Sequence, residues 1–201
     1  MLKIRSRGTK ILLAGLLAAG LTTFATASQL SDKCDNCHGK DGNSTDEKVP
    51  SIAGFSSAVI EDAMAAYRNE ERPADKYKPE DGDETDMIAI SKKLSDDQVK
   101  EVAAHYAKQK FMPHKQSFDA ALAKKGAKVH KKRCEKCHSD NGSNAEDDAA
   151  ILAGQWKAYL KRQFKLIESG ERDVPKKMKK KLKKLKDGDI EKLIEFYSSQ
   201  Q

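Results

Sequence analysis

Two copies of the pattern Cys-x-x-Cys-His use every cysteine of the chain: Cys34, Cys37, Cys134 and Cys137. A histidine, His38 or His138, follows the second cysteine of each copy. On the first turn of a short helix, two thiols three residues apart can each form a thioether with a vinyl group of one haem, and the next histidine then lies under the iron as an axial ligand. This pattern is an attachment site for c-type haem. The sequence therefore predicts two covalently bound haem c groups.

Other chemistry of paired cysteines fits the spacing less well. Ribbon-type zinc sites separate their two cysteine pairs by roughly 15–20 residues, whereas about a hundred residues separate Cys37 from Cys134. A thioredoxin-like redox pair needs a strand–helix–strand pattern, which the surrounding residues do not show. Two small disulfides would suit an oxidising compartment, but they would leave both adjacent histidines without a role.

Residues 1–27 have the three regions of a secretory signal peptide. Residues 1–10 are basic, residues 11–21 are apolar, and Ala25-Thr26-Ala27 forms an Ala-x-Ala cleavage site. The apolar region is short for a bilayer span, so an uncleaved anchor is the weaker alternative. We therefore predict export to the periplasm, with no transmembrane segment after cleavage.

Charge is distributed unevenly between the two halves of the predicted mature chain. Residues 28–112 contain 12 basic and 18 acidic side chains, whereas residues 113–201 contain 22 and 13. The protein is thus expected to be electrically bipolar, which affects docking rather than fold. Aromatic residues make up 6% of the chain and charged residues 34%, so much of the apolar interior would have to come from the two haems.

The chain carries an internal duplication. Gly54 and Gly154 lie at equal distances after the two haem motifs, and Glu71-Arg72 matches Glu171-Arg172 at the same offset of 100 residues. After a longer polar stretch at residues 73–86 the offset falls to 91, and two late pairs then align: Met87 with Met178, and Tyr106 with Tyr197. We predict domains at residues 28–112 and 113–201, joined by a linker at about 111–121.

Each copy is predicted to be all-α, a small helical bundle around one covalent haem. A short helix should carry the cysteines, and helices should cover about 58–67 and 156–167 after the two glycines. A final amphipathic helix closes each copy. Ser95, with Gln98 three residues later, has the pattern of a capping box for the first of these helices. Asp187 is the predicted cap of the second.

The sixth iron ligands are predicted from the duplication. Met87 and Met178 are the two methionines at equivalent positions, each seven residues before the leucine that leads into the closing helix. The rival residues have no such equivalents and are predicted to be packing, linker or surface residues: Met64, Met112, His105, His114 and His130. Histidine and methionine together leave no vacant iron position, so the predicted chemistry is outer-sphere electron transfer.

Residues beside the motifs suggest how the axial histidines are oriented. The backbone carbonyl of Pro50 could accept a hydrogen bond from Nδ1 of His38. The equivalent residue in the second copy is Ala150, which keeps the carbonyl but lacks the rigidity of proline. The two haems are therefore expected to differ in potential.

Lysines are concentrated around Met178, in the segment 176–186. A solvated helix face with Leu182 and Leu185 turned inward is the plainest interpretation. Nucleic acid is a poor partner for an exported haem protein. Association with a membrane surface remains an alternative, although the apolar stripe is short. We favour a docking surface that steers an acidic redox partner to the haem edge.

With these features in view, the chain resembles the dihaem class I cytochromes c, in particular the cytochrome c4 group and the cytochrome subunit of flavocytochrome c sulfide dehydrogenase. The resemblance rests on the two haem motifs, on the Ala53-Gly54 and Ala153-Gly154 segments, and on the late methionines. It implies two cytochrome c folds facing each other, with propionates near a shared interface. It also implies His38 and Met87 as one ligand pair and His138 and Met178 as the other.

The function expected from these features is that of a periplasmic electron carrier rather than an enzyme. Its partners would be redox proteins, including a terminal oxidase as acceptor. The alternative is a subunit that accepts electrons from a sulfide-oxidising flavoprotein. A dihaem peroxidase would need an open iron in one copy and fits less well.

Overall fold

Apolar residues at helical spacing fold the described part of the chain, residues 27–201 of this computed structural model, into eight α-helices. In the first half these are α1 (Ala27–His38), α2 (Ser57–Arg68), α3 (Met87–Lys93) and α4 (Asp96–Tyr106). In the second half they are α5 (Ala120–Arg133), α6 (Lys157–Glu168), α7 (Lys176–Leu182) and α8 (Asp189–Ser198). The predicted signal peptide lies outside the described residues except for Ala27. Among the eight helices, none combines the length and apolarity needed to cross a membrane.

The second four helices repeat the first four in order, so the predicted all-α fold of two tandem domains is confirmed. The same hydrogen bond occurs in both copies and joins a residue aligned at the offset of 100 to one aligned at the offset of 91. Gly54 N–H donates to the carbonyl of Tyr106 at 2.9 Å, and Gly154 N–H donates to that of Tyr197 at 2.8 Å. Both glycines have a positive φ, 70° and 74°, which a side chain would strain. These bonds tie the loop after each haem motif to the end of each closing helix.

The haem motifs lie at the ends of helices, not on their first turns as predicted. Cys34 to His38 form the last residues of α1. In the second copy α5 ends at Arg133, and the motif follows it in a series of turns that begins at Cys134. Cysteine and histidine spacing is compatible with either end of a helix, so the motif alone could not decide between them.

The helix that leads into each motif packs across the closing helix of its own domain, α1 against α4 and α5 against α8. At the second crossing, a Cβ atom added to Gly126 would lie 2.0 Å from the carbonyl oxygen of Lys192. The missing side chain therefore lets the two helix backbones approach closely.

The caps of the closing helices agree with the sequence in one copy only. Ser95 and Gln98 form the predicted capping box at the start of α4. The prediction for α8 was wrong: its N-cap is Gly188, in a left-handed conformation, instead of Asp187. Asp189, the first residue of the helix, accepts a hydrogen bond from the N–H of Lys186 at 3.0 Å and thereby closes the preceding turn.

Two apolar clusters form the core. Six residues of α6 and α8 make the second cluster: Leu160, Phe164, Leu193, Ile194, Phe196 and Tyr197. The first contains Phe55, Met64 and Tyr106 of the first copy, together with Ile151 of the second. Because Ile151 is only 5% exposed, the first domain depends on the second to complete its core.

Candidate haem sites and the junction between them

The first candidate site is built on the last turn of α1. His38 is buried, and its Nδ1 atom donates a hydrogen bond to the carbonyl oxygen of Pro50 at 2.9 Å. The donor role of Nδ1 follows from the carbonyl acceptor and leaves the lone pair on Nε2. The orienting contact predicted for His38 is thus present, and Nε2 is the atom available to a metal.

Burial around the first motif favours uncharged side chains. It lowers the pKa of the His38 imidazole, although the hydrogen bond to Pro50 and the charge of Asp35 act in the other direction. Burial also raises the pKa of the Cys34 thiol to about 11 and, less strongly, that of Cys37. Neutral imidazole is the form that binds iron, and a thioether has no proton to lose, so this environment suits covalent haem.

Met87 is held at the start of α3, where Asp86 is the N-cap and accepts a hydrogen bond from the N–H of Ala89 at 2.7 Å. The same carboxylate pairs with Lys76 at 2.6 Å. Met87 and Cys34 pack against the same core cluster. The structure therefore brings the predicted sixth ligand to the core that also carries the first cysteine.

The polar stretch before Met87 forms a small hairpin, closed by antiparallel bonds between Tyr77 and Thr85 of 2.8 Å in each direction. The hydroxyl of Tyr77 donates to Asp46 at 3.2 Å. Between this hairpin and the motif lies an open cavity of about 630 Å³ that Cys37, Asp46 and Glu80 help to line. The edge of the first site is thus acidic.

The second site has a looser orienting contact. Burial lowers the pKa of His138, and the carbonyl of Ala150 opposes that shift. The Nδ1 atom of His138 is nevertheless buried without a hydrogen bond of good geometry to any described residue. The contrast with Pro50 agrees with the difference in rigidity between the two residues.

A buried histidine supports the second motif from the preceding turn of α5. His130 is 1% exposed, and its Nδ1 atom lies 3.0 Å from the hydroxyl of Tyr197. Its Nε2 atom is 2.7 Å from the carboxylate of Glu135, though the angle is poor for a hydrogen bond. In the first copy Tyr106 instead donates to Asp35 at 2.7 Å. Both ring nitrogens of His130 thus face polar groups of its own domain.

Met178 is the third residue of α7 and is half-buried. Leu182, one turn later, packs against the same cluster as Cys134. Burial raises the pKa of Cys134 and outweighs the hydrogen bond with Tyr197 and the charge of Lys181, which both lower it. Helix α7 therefore lies beside the second motif. A cavity of about 580 Å³ behind α7 is lined by residues such as Ile167 and Leu182, but by neither cysteine of the motif.

The two domains meet at residues that directly follow Pro50 and Ala150, whose carbonyls face the histidines of the two haem motifs. The backbone of Ser51, next to Pro50, forms two hydrogen bonds with the side-chain amide of Gln155: its N–H donates to Oε1 at 3.2 Å, and its carbonyl accepts from Nε2 at 2.6 Å. Its hydroxyl lies 2.9 Å from Nε2 of His114. The ring of His114 stacks on Trp156, with centroids 4.0 Å apart and planes 9° from parallel.

Sequence reasoning missed this junction. Gln155 and Trp156 have no counterparts in the first copy, where Phe55 and Ser56 occupy their positions. This difference between the two copies was the feature of the sequence that could have indicated the junction. The remaining rivals for iron ligation lie elsewhere: Met64 in the first core, Met112 exposed in the linker, and His105 edge-on to Tyr106.

The residues present fit two covalent haems. All four cysteines are unpaired, each pair precedes a shielded histidine whose Nδ1 faces a backbone carbonyl, and apolar clusters adjoin Cys34 and Cys134. His38 and His138 would each offer Nε2 to the iron, with Met87 and Met178 as the sulfur donors. We treat these roles below as part of the proposal.

Comparison with known proteins gives the same assignment for both halves. A family model described as cytochrome c matches residues 19–109, and one described as cytochrome c oxidase, cbb3-type, subunit III matches residues 121–196. The chain is 30% identical over 96 residues to cytochrome c-554(548) of Halomonas halodenitrificans, and the match covers 48% of this chain and 99% of that protein.

The full two-domain arrangement also has relatives. Cytochrome c4 of Stutzerimonas stutzeri is 28% identical over 181 residues, which cover 81% of this chain and 84% of that protein. The crystal structure of reduced recombinant cytochrome c4 from Pseudomonas stutzeri is similar at a TM-score of 0.68 and 26% identity, over 89% of this chain and 100% of the other. The chain therefore belongs to the class I cytochrome c family, in the dihaem, two-domain form of cytochrome c4.

Proposed function

We propose that this dihaem electron-transfer protein works in the periplasm as a carrier of single electrons between redox proteins. In this proposal His38 and Met87 bind one iron, His138 and Met178 bind the other, and the four cysteines attach the two haems. The observation that carries it is the repeated combination of a free cysteine pair, a shielded axial histidine and an equivalent methionine on the third helix of each domain.

A bound haem c supplies a one-electron iron couple, whose potential a methionine ligand raises. The chain supplies rigidity. The Pro50 carbonyl fixes the ring of His38, and the N-cap of Asp86 fixes the start of the helix that carries Met87. His38 and Met87, held in this way, would bind the iron without moving on electron transfer and would leave no iron position for a substrate.

We propose that partners dock at the lysine surface, defined as the exposed lysines of α7 and the turn after it: Lys176, Lys177, Lys179, Lys180, Lys181, Lys183 and Lys184. Leu182 and Leu185 pack inward against the second core, as expected. Helix α7 therefore has little apolar side chain to offer a membrane, and an acidic protein is the better partner.

A second candidate function is that of an electron-accepting subunit of a flavoprotein enzyme. It is favoured by the Gln155-Trp156 and Lys176-Lys177-Met178 segments, which resemble the cytochrome subunit of flavocytochrome c sulfide dehydrogenase. Purification of the native protein separates the two candidates. A larger flavin-containing chain in constant stoichiometry would favour the subunit, and a flavin-free protein would favour the carrier.

A redox-titrated visible spectrum of the purified protein tests the main proposal. We expect two haems per chain, low-spin spectra in both oxidation states and two one-electron waves. A high-spin, five-coordinate component in one domain would contradict the ligand assignment and favour a peroxidase.

A further inference from the structure

Two arginines at equivalent positions of the duplication, Arg72 and Arg172, meet between α2 and α6. Arg72 reaches across the junction, and its Nη2 atom donates to Tyr159 Oη and to Gln163 Oε1, both at 3.0 Å. Arg172 donates to the same Gln163 oxygen at 2.6 Å. One amide oxygen thus bridges both guanidinium groups, so the two positive charges are close neighbours.

Neither arginine has an acidic partner among residues 27–201. Arg68 forms an ion pair with Asp96, and Arg162 forms one with Asp75, but no carboxylate of the described residues pairs with Arg72 or Arg172. The Nε atom of Arg72 is buried without any hydrogen bond in this part of the chain. Shielded charges of one sign are unfavourable unless an opposite charge compensates them.

The surroundings confirm that these are shielded cations. Burial lowers the pKa of Arg172, and the charge of Arg72 lowers it further. Burial acts on Arg72 in the same direction, but the phenol oxygens of Tyr159 and Tyr67 outweigh it and leave the pKa of Arg72 raised. Burial raises the pKa of Tyr67, so its phenol is uncharged at neutral pH and supplies no compensating charge. The guanidinium of Arg72 also lies over the ring of Tyr67, 4.7 Å from its centroid.

The covalently bound haems would bring the negative charge that these arginines lack. Each haem c carries two propionate carboxylates, and a carboxylate near a protein interior needs hydrogen-bond donors or a cation. The arginines meet beside the loop that follows the first haem motif: the N–H of Tyr159, whose hydroxyl accepts the bond from Arg72, donates to the carbonyl of Glu47 at 3.0 Å, three residues before Pro50. The corresponding loop of the second copy reaches the first domain through Ile151, which follows Ala150. We infer that Arg72 and Arg172 are the propionate-binding residues of the domain junction, and that they set the potential of at least one haem by compensating its carboxylate charge.

This inference rests on the proposed haem attachment, and the experiment separates the two. Arg72→Gln and Arg172→Gln are made in the full chain, and haem content is measured first. With two haems retained, spectroelectrochemical titration should show a lower potential for one haem, since removal of a nearby positive charge favours the ferric state. We expect its reduction equilibrium to fall about tenfold, or about 59 mV for one electron. The potential should also become dependent on pH near neutrality, because the propionate pKa rises when its cation is lost.

Matched variants exclude a purely structural effect. Arg162→Gln also removes a bridge across the junction, the pair with Asp75 at 2.8 and 2.7 Å, and should leave both potentials unchanged. Arg72→Lys and Arg172→Lys should keep most of the reduction potential that the glutamine variants lose. Unchanged potentials in both glutamine variants would overturn the inference. So would an equal shift in Arg162→Gln, or a lysine variant that behaves like the glutamine variant.

A free anion, instead of a haem propionate, could also compensate the charge of the two arginines. Inorganic phosphate, added to the wild-type protein at constant ionic strength, tests it. A propionate already in place should leave the potentials independent of phosphate. A saturable shift with phosphate would mean that the arginines bind a free anion, and the inference would fail.

Discussion

At the scale of single residues, one backbone carbonyl faces the histidine of each haem motif, and the two copies differ in this contact. Pro50 accepts the His38 hydrogen bond at 2.9 Å, whereas the His138 Nδ1 atom lacks a bond of good geometry with a described residue. A stronger hydrogen bond raises the basicity of the imidazole ligand. The sequence predicted this asymmetry because proline and alanine differ at one aligned position.

The methionine assignment is tested by removing each sulfur separately. Met87→Ala and Met178→Ala should each abolish about half of the charge-transfer absorption that marks sulfur bound to ferric iron, and each should lower one potential, because a thioether favours ferrous iron. Met64→Leu is the matched control. Met64 is a buried core residue, so this variant should keep the whole band and both potentials. Full absorption in either alanine variant would reject that residue as a ligand.

At the scale of helices, the sequence predicted which helices form, and in what order, better than it predicted the residues at which they begin and end. The sequence predicted three of the four equivalent helix pairs, and the short pair α3 and α7, which carries Met87 and Met178, was not predicted as helical. Ser95 with Gln98 identified the start of α4 because a capping box is a local pattern. The start of α8 was wrong because a glycine in a left-handed conformation ended the turn there, and nothing local distinguished it from Asp187. The position of the motifs at helix ends likewise depends on packing against α4 and α8, which is a tertiary property.

The crossing of α5 and α8 gives a stability prediction. Alanine usually stabilises a helix interior by roughly 0.5–1 kcal/mol relative to glycine. Gly126→Ala should do the opposite, because the new Cβ would meet the Lys192 carbonyl and force the helices apart, at a cost of about 1–3 kcal/mol. Denaturant unfolding of the holoprotein measures the change. Lys128→Ala, exposed on the same helix, is the control, and a stabilised Gly126→Ala would show that the crossing can relax.

The lysine surface gives a kinetic prediction for α7. Reversing two of its charges, Lys179→Glu with Lys180→Glu, should slow electron transfer to an acidic redox partner by about tenfold or more at low salt, because steering is lost. Stopped-flow rates should also become less dependent on ionic strength. The pair Lys124→Glu with Lys125→Glu, exposed on α5, carries the same change in net charge. Equal slowing by both pairs would mean that net charge, rather than this surface, governs docking.

At the scale of the whole molecule, the domain junction is the part that the sequence revealed least. Its contacts join residues 51, 114 and 155, which are far apart in the chain. No periodicity marks such residues, and their partners follow only from how two finished domains fit together. The unequal charge of the two halves, by contrast, was visible in composition alone.

The junction should loosen in acid because of His114. It is 8% exposed, and burial lowers its pKa from 6.5 to about 4. Between those values the unfolded chain binds the proton more readily, so stability is present above pH 6.5 and falls as pH falls. We expect a loss of about 2 kcal/mol between pH 7 and pH 5. Denaturant unfolding at the two pH values measures it.

The control for this pH dependence replaces a histidine outside the junction. His114→Gln should be less stable than the wild type at pH 7 but should lose less stability on acidification. His105→Gln, on α4, should keep the wild-type slope. If His114→Gln lost stability between pH 7 and pH 5 as steeply as the wild type, another group would control the acid response.

The domain junction lies one residue after each carbonyl that faces a motif histidine, and this position has an evolutionary consequence. Ser51 adjoins Pro50 and is bonded by the second domain, while Ile151 adjoins Ala150 and is buried in the first. A mutation at either position would therefore alter both the contact with the other domain and the carbonyl that faces the motif histidine of its own domain. The two centres form one unit of selection, and compensatory changes should appear in pairs across the duplicated halves instead of accumulating independently in each.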